Sequence, residues 1–447
     1  MAERLVVIGG DAGGMSAASQ VRRLRPDIDI VALEMGDWTS YSACGIPYVV
    51  GGDVDGIERL IARSPAEFRD RYRIDVRLRH LATAIDLDGR EVEVRDIARE
   101  RAFRLGFDEL LIATGATPQR PDVPGVDQRW IRGVQTLGDA TALLDVIADD
   151  PPQRVVVVGG GYIGLEMAEA FLNRGAAVTV VERAPEVMGT LDPDMGALVS
   201  DAMRGLGAEV RCGTAVEGFD GGAVLTDAGP IPADLAILGI GVRPNSELAA
   251  DAGLELGARD AIAVDRRQRT SVEGIWAAGD CCETFHLVSR RPVHIALGTI
   301  ANKQGRVAGI NIAGGYATFP GAVGTAVSKI CGYEVARTGL TEREAAAAGF
   351  VHRSATIEST TRAGYFPGAA PITVKLVAEE GTGRVLGGQI VGREGAAKRI
   401  DVLATAVTAA MDVQGVVDLD LSYAPPFSPL WDPVQVAARA VLRGGQA

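Results

Sequence analysis

Apolar and polar positions along the 447-residue chain repeat one order twice. Leu5–Ile8 is a short apolar run that leads into a Gly/Ala-rich turn. A stretch of helical period, Met15–Leu24, follows, and a second apolar run, Ile28–Leu33, ends in Glu34. Short continuous apolar runs predict buried parallel strands, and a 3.6-residue period predicts the helix that crosses between them. The order returns at Val155–Val158, the turn Gly159–Gly164, a helix Leu165–Asn173 and the run Val178–Val181 ending in Glu182. Two such units, more than a hundred residues apart, predict two nucleotide-binding domains.

The connecting segments set the boundaries. Leu110–Gly115 is an apolar run ending in Ala-Thr-Gly, and Pro118–Gly125 is Pro-rich and predicts a linker. Leu235–Ile240, leading into Gly241-Val242-Arg243-Pro244, marks a return crossing, and Ile275–Ala278 runs into Gly279-Asp280. From about Ala326 the chain reads as strands (Ile372–Val377, Val385–Val391) and a helix (Lys398–Met411) with no phosphate loop. Tyr423–Pro433 reads as an ordered, draped segment. The predicted class is α/β: two Rossmann-like dinucleotide-binding domains, residues 1–117 with 243–325 and residues 118–242, plus a C-terminal α+β domain, 326–447.

Composition narrows the chemistry. A net charge of −13 argues against a general nucleic-acid binder, which needs a basic face. Four His make a His-rich metal site unexpected, so no metal is assigned. Five Cys, with no CxxC pair, give no disulfide framework. No apolar run reaches the 18–20 residues of a membrane span, and the opening MAERLVVIGG lacks a signal-peptide pattern. The expected compartment is the reducing cytoplasm. Gly is abundant, 56 residues, which suits close approaches of backbone to a nucleotide.

The second loop reads Gly159-x-Gly161-Tyr162-Ile163-Gly164, directly between strand and helix. The glycines permit the tight turn, the approach of a pyrophosphate and the packing of helix on strand, and the helix N-terminus then faces the phosphates. Glu182 stands where an acid binds ribose hydroxyls. A carboxylate there repels a 2′-phosphate and favours NADH, while the adjacent Arg183 leaves NADPH open. The first loop, Gly9-Gly10-Asp11-Ala12-Gly13-Gly14, carries Asp11 in place of the second glycine, yet Glu34 has the right spacing. Asp280, after an apolar run, suits an Asp bound to a ribityl chain; a helix N-cap is the alternative.

Ser42-Ala43-Cys44-Gly45-Ile46-Pro47-Tyr48 follows the first unit. A Cys entering a helix gains thiolate stability from the helix dipole. With no partner Cys four or five residues away, any disulfide on Cys44 must be with a small external thiol, unless Cys44 cycles through a sulfenic acid. The adjacent Cys281 and Cys282 read as packing residues, and Cys212 and Cys331 as core or strand residues.

An imperfect first loop, a lone-cysteine segment, Ala-Thr-Gly, a full GxGxxG, a Gly-Asp motif and an α+β domain, in that order, resemble the pyridine nucleotide–disulfide oxidoreductases. The likeness is to their single-cysteine branch: coenzyme A disulfide reductases, NADH oxidases, NADH peroxidases and persulfide reductases. Ala17–Arg23, Gly364-Tyr365-Phe366-Pro367-Gly368 and Tyr423-Ala424-Pro425-Pro426-Phe427-Ser428 resemble segments of the coenzyme A disulfide reductases. The resemblance covers essentially the whole chain.

That resemblance implies FAD in the first domain, held by Gly9, Ala12, Gly13, Gly14, Glu34, Thr114, Gly115, Gly279 and Asp280. It implies NADH, with NADPH as the other candidate, in the second, held by Gly159, Gly161, Tyr162, Ile163, Gly164, Glu182 and Gly241. Cys44 would form a mixed disulfide with coenzyme A. Ser16, Gln20, Arg23, Ser40 and Asn302 would contact that substrate. Tyr365 and Tyr423, from the partner of a homodimer built through the C-terminal domain, would bind or protonate the departing thiolate. Neither a nucleic acid nor a membrane partner is implied. The chain departs from the family at Ala43, Tyr72 and Trp431, where coenzyme A disulfide reductases carry Asn, Lys and Lys; Arg23, Arg71 and Arg73 are candidate replacement phosphate contacts. The first-loop His of the peroxidases is missing. The leading reading is therefore a reductase of a small disulfide or persulfide. An NADH oxidase reducing oxygen at the flavin, and a flavoprotein redox partner or sensor, are the alternatives.

Overall fold

A computed structural model describes residues 3–444. Three five-stranded sheets organise it. In the first, Ile275–Ala277, Glu109–Ile112, Arg4–Ile8, Asp29–Leu33 and Asp75–Arg77 lie side by side, all parallel. Arg4–Ile8 and its neighbours are apolar on both faces because both are covered: helices Ala12–Leu24 and Gly298–Ile312 pack on one, and the three-stranded sheet His80–Asp86, Glu91–Asp96 and Arg101–Gly106 packs on the other. In the second, Glu209–Arg211, Ala177–Val181, Arg154–Val158, Leu235–Leu238 and Ile131–Gly133 are again parallel. The third is antiparallel: Ala326–Ile330, Tyr333–Gly339, Val385–Gly392, Pro371–Glu379 and His352–Thr360. Helix Pro433–Gly444 packs on this sheet and buries Val434, Ala437, Ala438 and Val441.

The first sheet is assembled from two chain segments, and the second sheet lies between them in sequence. The two crossings, Ala116–Pro118 and Val242–Pro244, pair as an antiparallel ribbon. The predicted linker therefore begins inside a strand. The predicted helix over Lys398–Met411 is shorter: a 3₁₀ turn Ala397–Arg399 leads into Ile400–Thr408. Ala410 takes a left-handed φ of 52°, which ends the helix before Met411.

The second and third sheets are clasped at one buried point. Lys375 is only 4% exposed. Its Nζ lies 2.8 Å from Asp194, 2.7 Å from Glu342 and 3.4 Å from Asp192. Gln389 Nε2 donates to Asp192 at 2.6 Å, and the Asp192 amide donates back to Gln389 at 2.7 Å. Asp192 and Asp194 open the helix Pro193–Gly205, so the clasp seats that helix on the third sheet.

Candidate active site

The first loop closes as its glycines require. Gly9 takes φ +112°, and a Cβ on Gly14 would stand 2.0 Å from the Gly9 carbonyl oxygen, so strand and helix touch through backbone. Helix Ala12–Leu24 then starts with Ala12, Gly13 and Gly14 in its first turn and no side-chain cap. Glu34 accepts the Gly10 amide at 2.9 Å and the Gly36 amide at 2.7 Å, and burial pushes its pKa up.

The second loop repeats the design. A Cβ on Gly164 would stand 2.1 Å from the Gly159 carbonyl oxygen. Glu182 accepts the Gly160 amide at 2.7 Å and the Ala184 amide at 2.8 Å. The helix runs Tyr162–Asn173, one turn longer at its start than the apolar period predicts. Tyr162 and Ile163 sit half-buried in its first turn, on the core beneath. Gly241, at the return crossing, accepts from the Gln119 amide at 2.9 Å and faces open space.

Thr114 and Gly115 form a turn locked by Asn245. The Thr114 hydroxyl donates to the Asn245 carbonyl at 2.5 Å, and the Asn245 amide group donates to the Thr114 carbonyl at 2.8 Å. Gly279 is fixed by its amide's bond to the buried Gln304 side chain, 2.9 Å. Asp280 lies in a turn, and the next α-helix begins only at Gly298, so the N-cap alternative is ruled out. Cys281 and Cys282 are buried packing residues. Cys331 occupies the turn between two strands rather than a strand, at φ +54°, and its Sγ is 3.1 Å from the Met203 sulfur; Cys212 directly follows Glu209–Arg211.

Cys44 lies in the single turn Ala43–Gly45, which leads into the six-residue helix Ile46–Gly51. That helix leans on Tyr162–Asn173: Arg174 donates to the Val50 carbonyl, and Gly51 abuts Ala170. The segment carrying the thiol is thus tied to the first loop through the Tyr41 amide and Asp11, 3.1 Å, and to the second-loop helix through Ile46–Gly51, and the charges of Glu166, Asp280 and Asp11 act on it. The helix-dipole expectation is corrected here. Cys44 is an exposed residue, yet partial burial of its thiol and the three carboxylates push its pKa up, and a six-residue helix offers little to oppose them.

The other predicted residues divide into two groups. Ser16 donates to Asn302 at 2.6 Å, joining helices Ala12–Leu24 and Gly298–Ile312. Gln20 and Arg23 lie further along the first of these, Arg23 exposed. Ser40 takes φ +51° and its carbonyl accepts from Ala62 and Arg63. Tyr365 and Tyr423 stand on the third domain beside each other; Tyr365 is 78% exposed, and its bond to Tyr423 pushes its pKa up. Tyr72 carries a guanidinium near its ring from each of Arg63 and Arg71, 5.4 and 5.6 Å from the centroid, whereas Arg73 donates to the Pro26 carbonyl.

Residues 3–305 match the family model "Pyridine nucleotide-disulphide oxidoreductase", and residues 325–433 match the dimerisation domain of the same family. The chain belongs to the pyridine nucleotide-disulphide oxidoreductase family. The oxidoreductase is 40% identical over 443 residues to the NAD(P)H sulfur oxidoreductase (CoA-dependent) of Pyrococcus furiosus, covering 98% of this chain and 99% of the relative. Among solved structures it superposes on the reduced CoADR-RHD of Bacillus anthracis (TM-score 0.97, 33% identity, 100% of this chain, 81% of the other). It also superposes on the NAD-dependent persulfide reductase of A. fulgidus (TM-score 0.96, 39% identity, 99% and 84%).

The oxidoreductase's first domain fits FAD. The Asp280 carboxylate, crowded by burial that raises its pKa, takes no hydrogen bond from the described residues; ribityl hydroxyls would supply the missing donors. The uncapped helix Ala12–Leu24 leaves its first N–H groups for a diphosphate. Three residues of the site lie outside the sequence motifs: Glu166 beside the thiol, Gln304 under Gly279 and Asn245 across the Ala-Thr-Gly turn. Each reaches the site from an element far along the chain.

Proposed function

We propose that this oxidoreductase uses NAD(P)H to reduce a small disulfide or persulfide of the coenzyme A type, with Cys44 as the nucleophile. The observation that supports this reading is that the Cys44 segment is tied at Tyr41 to the first nucleotide loop and runs into a helix packed on the second-loop helix. Its relatives' printed names, CoA-dependent sulfur oxidoreductase and persulfide reductase, support the substrate class.

FAD is assigned to residues 1–117 with 243–325, and NAD(P)H to 118–242. FAD, when bound, supplies the two-electron relay from NAD(P)H to sulfur. The chain's own residues do the rest. The Cys44 thiolate attacks one sulfur of the substrate, forming a mixed disulfide and expelling the other sulfur as a thiolate. Gly9, Gly13, Gly14 and the helix they open bind one diphosphate; Gly159, Gly161 and Gly164 bind the other. Thr114, Gly115, Gly279 and Asp280 orient the first nucleotide, with Glu34 at its ribose. Tyr162, Ile163 and Gly241 line the second, and Glu182 favours NADH over NADPH. Ser16, Gln20, Arg23, Ser40 and Asn302 hold the substrate beside Cys44. Tyr365 and Tyr423 lie on the exposed face of the third domain; supplied by a second copy in a homodimer, they donate a proton to the leaving thiolate. Five free cysteines, none paired, suit a reducing cytoplasm.

The test is to purify the protein without reductant and weigh the intact chain. A covalent adduct on Cys44 with the mass of coenzyme A, lost on NADH treatment, is the expected result. Bare or sulfenic Cys44 with rapid NADH-driven oxygen uptake would replace this reading with the oxidase.

A further inference from the structure

The acid in the first loop stands where that loop's pattern calls for a glycine, and its side chain does not cap its own helix. Asp11 occupies the N-cap position of Ala12–Leu24 with extended backbone, yet makes no capping bond to it. Its Oδ1 instead accepts the Tyr41 amide at 3.1 Å. Two more bonds run alongside: the Ser40 amide and the Thr39 hydroxyl both donate to the Gly10 carbonyl, the former at 3.0 Å. The opposite edge of the same segment is pinned by Ser42 to the Leu60 carbonyl, 2.9 Å, and by Ala62 to the Ser40 carbonyl, 2.8 Å. Cys44 follows two residues after Ser42. The path of the chain into the thiol is thus set by the first nucleotide loop.

We propose that Asp11 is a positioning residue for Cys44: its carboxylate holds the segment Thr39–Ser42 against the first nucleotide loop, and its negative charge restrains formation of the Cys44 thiolate. This rests on the reading of Cys44 as the nucleophile. Asp11 is surrounded by acids, with Glu34 at the end of the second strand and Asp280 in the Gly-Asp turn, and by the Tyr41 phenol. Burial, aided by those acids, raises its pKa to about 6, so it is ionised above that pH. Burial raises the Cys44 pKa first, followed by the charges of Glu166 from the second-loop helix, Asp280 and Asp11.

Two variants separate tie from charge. Asp11→Asn keeps an oxygen for the Tyr41 amide and removes the charge; Asp11→Ala removes both. Each is measured as holoprotein, with flavin content determined on the released cofactor. After reduction with dithiothreitol and its removal, which frees any thiol held on Cys44, the rate of Cys44 alkylation by iodoacetamide is followed from pH 6 to 10 by peptide mass. In Asp11→Asn the profile moves to lower pH, and alkylation at pH 7 rises about two- to tenfold, as expected for removing one nearby like charge. A profile superimposable on the wild type overturns the charge role. Hydrogen exchange in the peptide 39–45 reads the tie: it quickens in Asp11→Ala and not in Asp11→Asn, and equal exchange in the two overturns the positioning role. Neither readout needs a disulfide substrate, so failure here is distinct from failure of the proposed reductase activity. Asp11→Asn decides the charge role even where Asp11→Ala releases its flavin.

Discussion

Replacing Lys375 by Met removes the one cation of the clasp and keeps most of the side-chain volume. Three carboxylates then lose their partner, but unequally. The Asp194 and Glu342 side chains are 46% and 37% exposed and regain water, so each pair is worth about 0–1 kcal/mol. The Asp192 side chain is 3% exposed and stays dry. Breaking a buried pair from one side costs about 3–5 kcal/mol. The Gln389 side chain and the Glu342 amide still donate to Asp192, which puts the cost near the lower end, ~3 kcal/mol. The assay is hydrogen exchange of the strands Pro371–Glu379 and Val385–Gly392, where ~3 kcal/mol corresponds to exchange on the order of a hundredfold faster. The difference from wild type has a pH window. Burial opposes the Lys375 charge, but its bonds to Asp194 and Glu342 win and raise its pKa, so its contribution is intact below about pH 10 and fades as pH rises through the raised value. The same bonds overcome burial at Asp194 and Glu342 and lower theirs, so that contribution holds above about pH 4–5 and fades as pH falls through the lowered values. Protection within about threefold of wild type at pH 7 would refute the ledger, since ~3 kcal/mol cannot hide in that margin.

Cys44→Ser abolishes disulfide reduction while NADH-driven oxygen uptake survives in part; retained disulfide turnover would remove Cys44 from the chemistry. Gly164→Ala forces a Cβ within 2.1 Å of the Gly159 carbonyl oxygen, so KM for NADH rises at least about tenfold while flavin content and Cys44 alkylation hold. Asp280→Asn weakens flavin retention by about ten- to a hundredfold, the worth of a hydrogen bond to a charged group. Because burial raises the Asp280 pKa, the folded state disfavours its charge, so the flavin-free variant is more stable than the parent at pH 7, and the gain disappears as pH falls toward 4. Urea unfolding of the flavin-free proteins checks this, and a less stable variant at pH 7 would contradict it.

The two βαβ units were legible because period and glycine spacing are local signals, and both loops fold as that spacing requires. Ser16 and Asn302, 286 residues apart in the chain, hydrogen-bond each other, a pairing that no local pattern carries. The field around Cys44 was not legible. A short helix after the thiol suggests an acidified sulfur, but Glu166, Asp280 and Asp11 arrive from three separate segments. Gln304 and Asn245 were invisible for the same reason: each acts on backbone 25 and 131 residues away, beyond any pattern a window can hold. Helix starts slipped by a turn at Tyr162, where the first turn carries loop residues rather than the apolar period.

The split first sheet dictates an order of events during synthesis. Ile275–Ala277 pairs with Glu109–Ile112 about 165 residues earlier in the chain. At ribosomal speeds of about 5–20 residues per second, that gap is roughly 10–30 s. Throughout it, the nascent Glu109–Ile112 strand presents an unpaired apolar edge, the kind of template on which chains aggregate. Meanwhile the intervening segment already has its own five strands and can close on itself. Translation slowed within residues 118–242 therefore prolongs the exposure of that edge, and slowing after 277 does not.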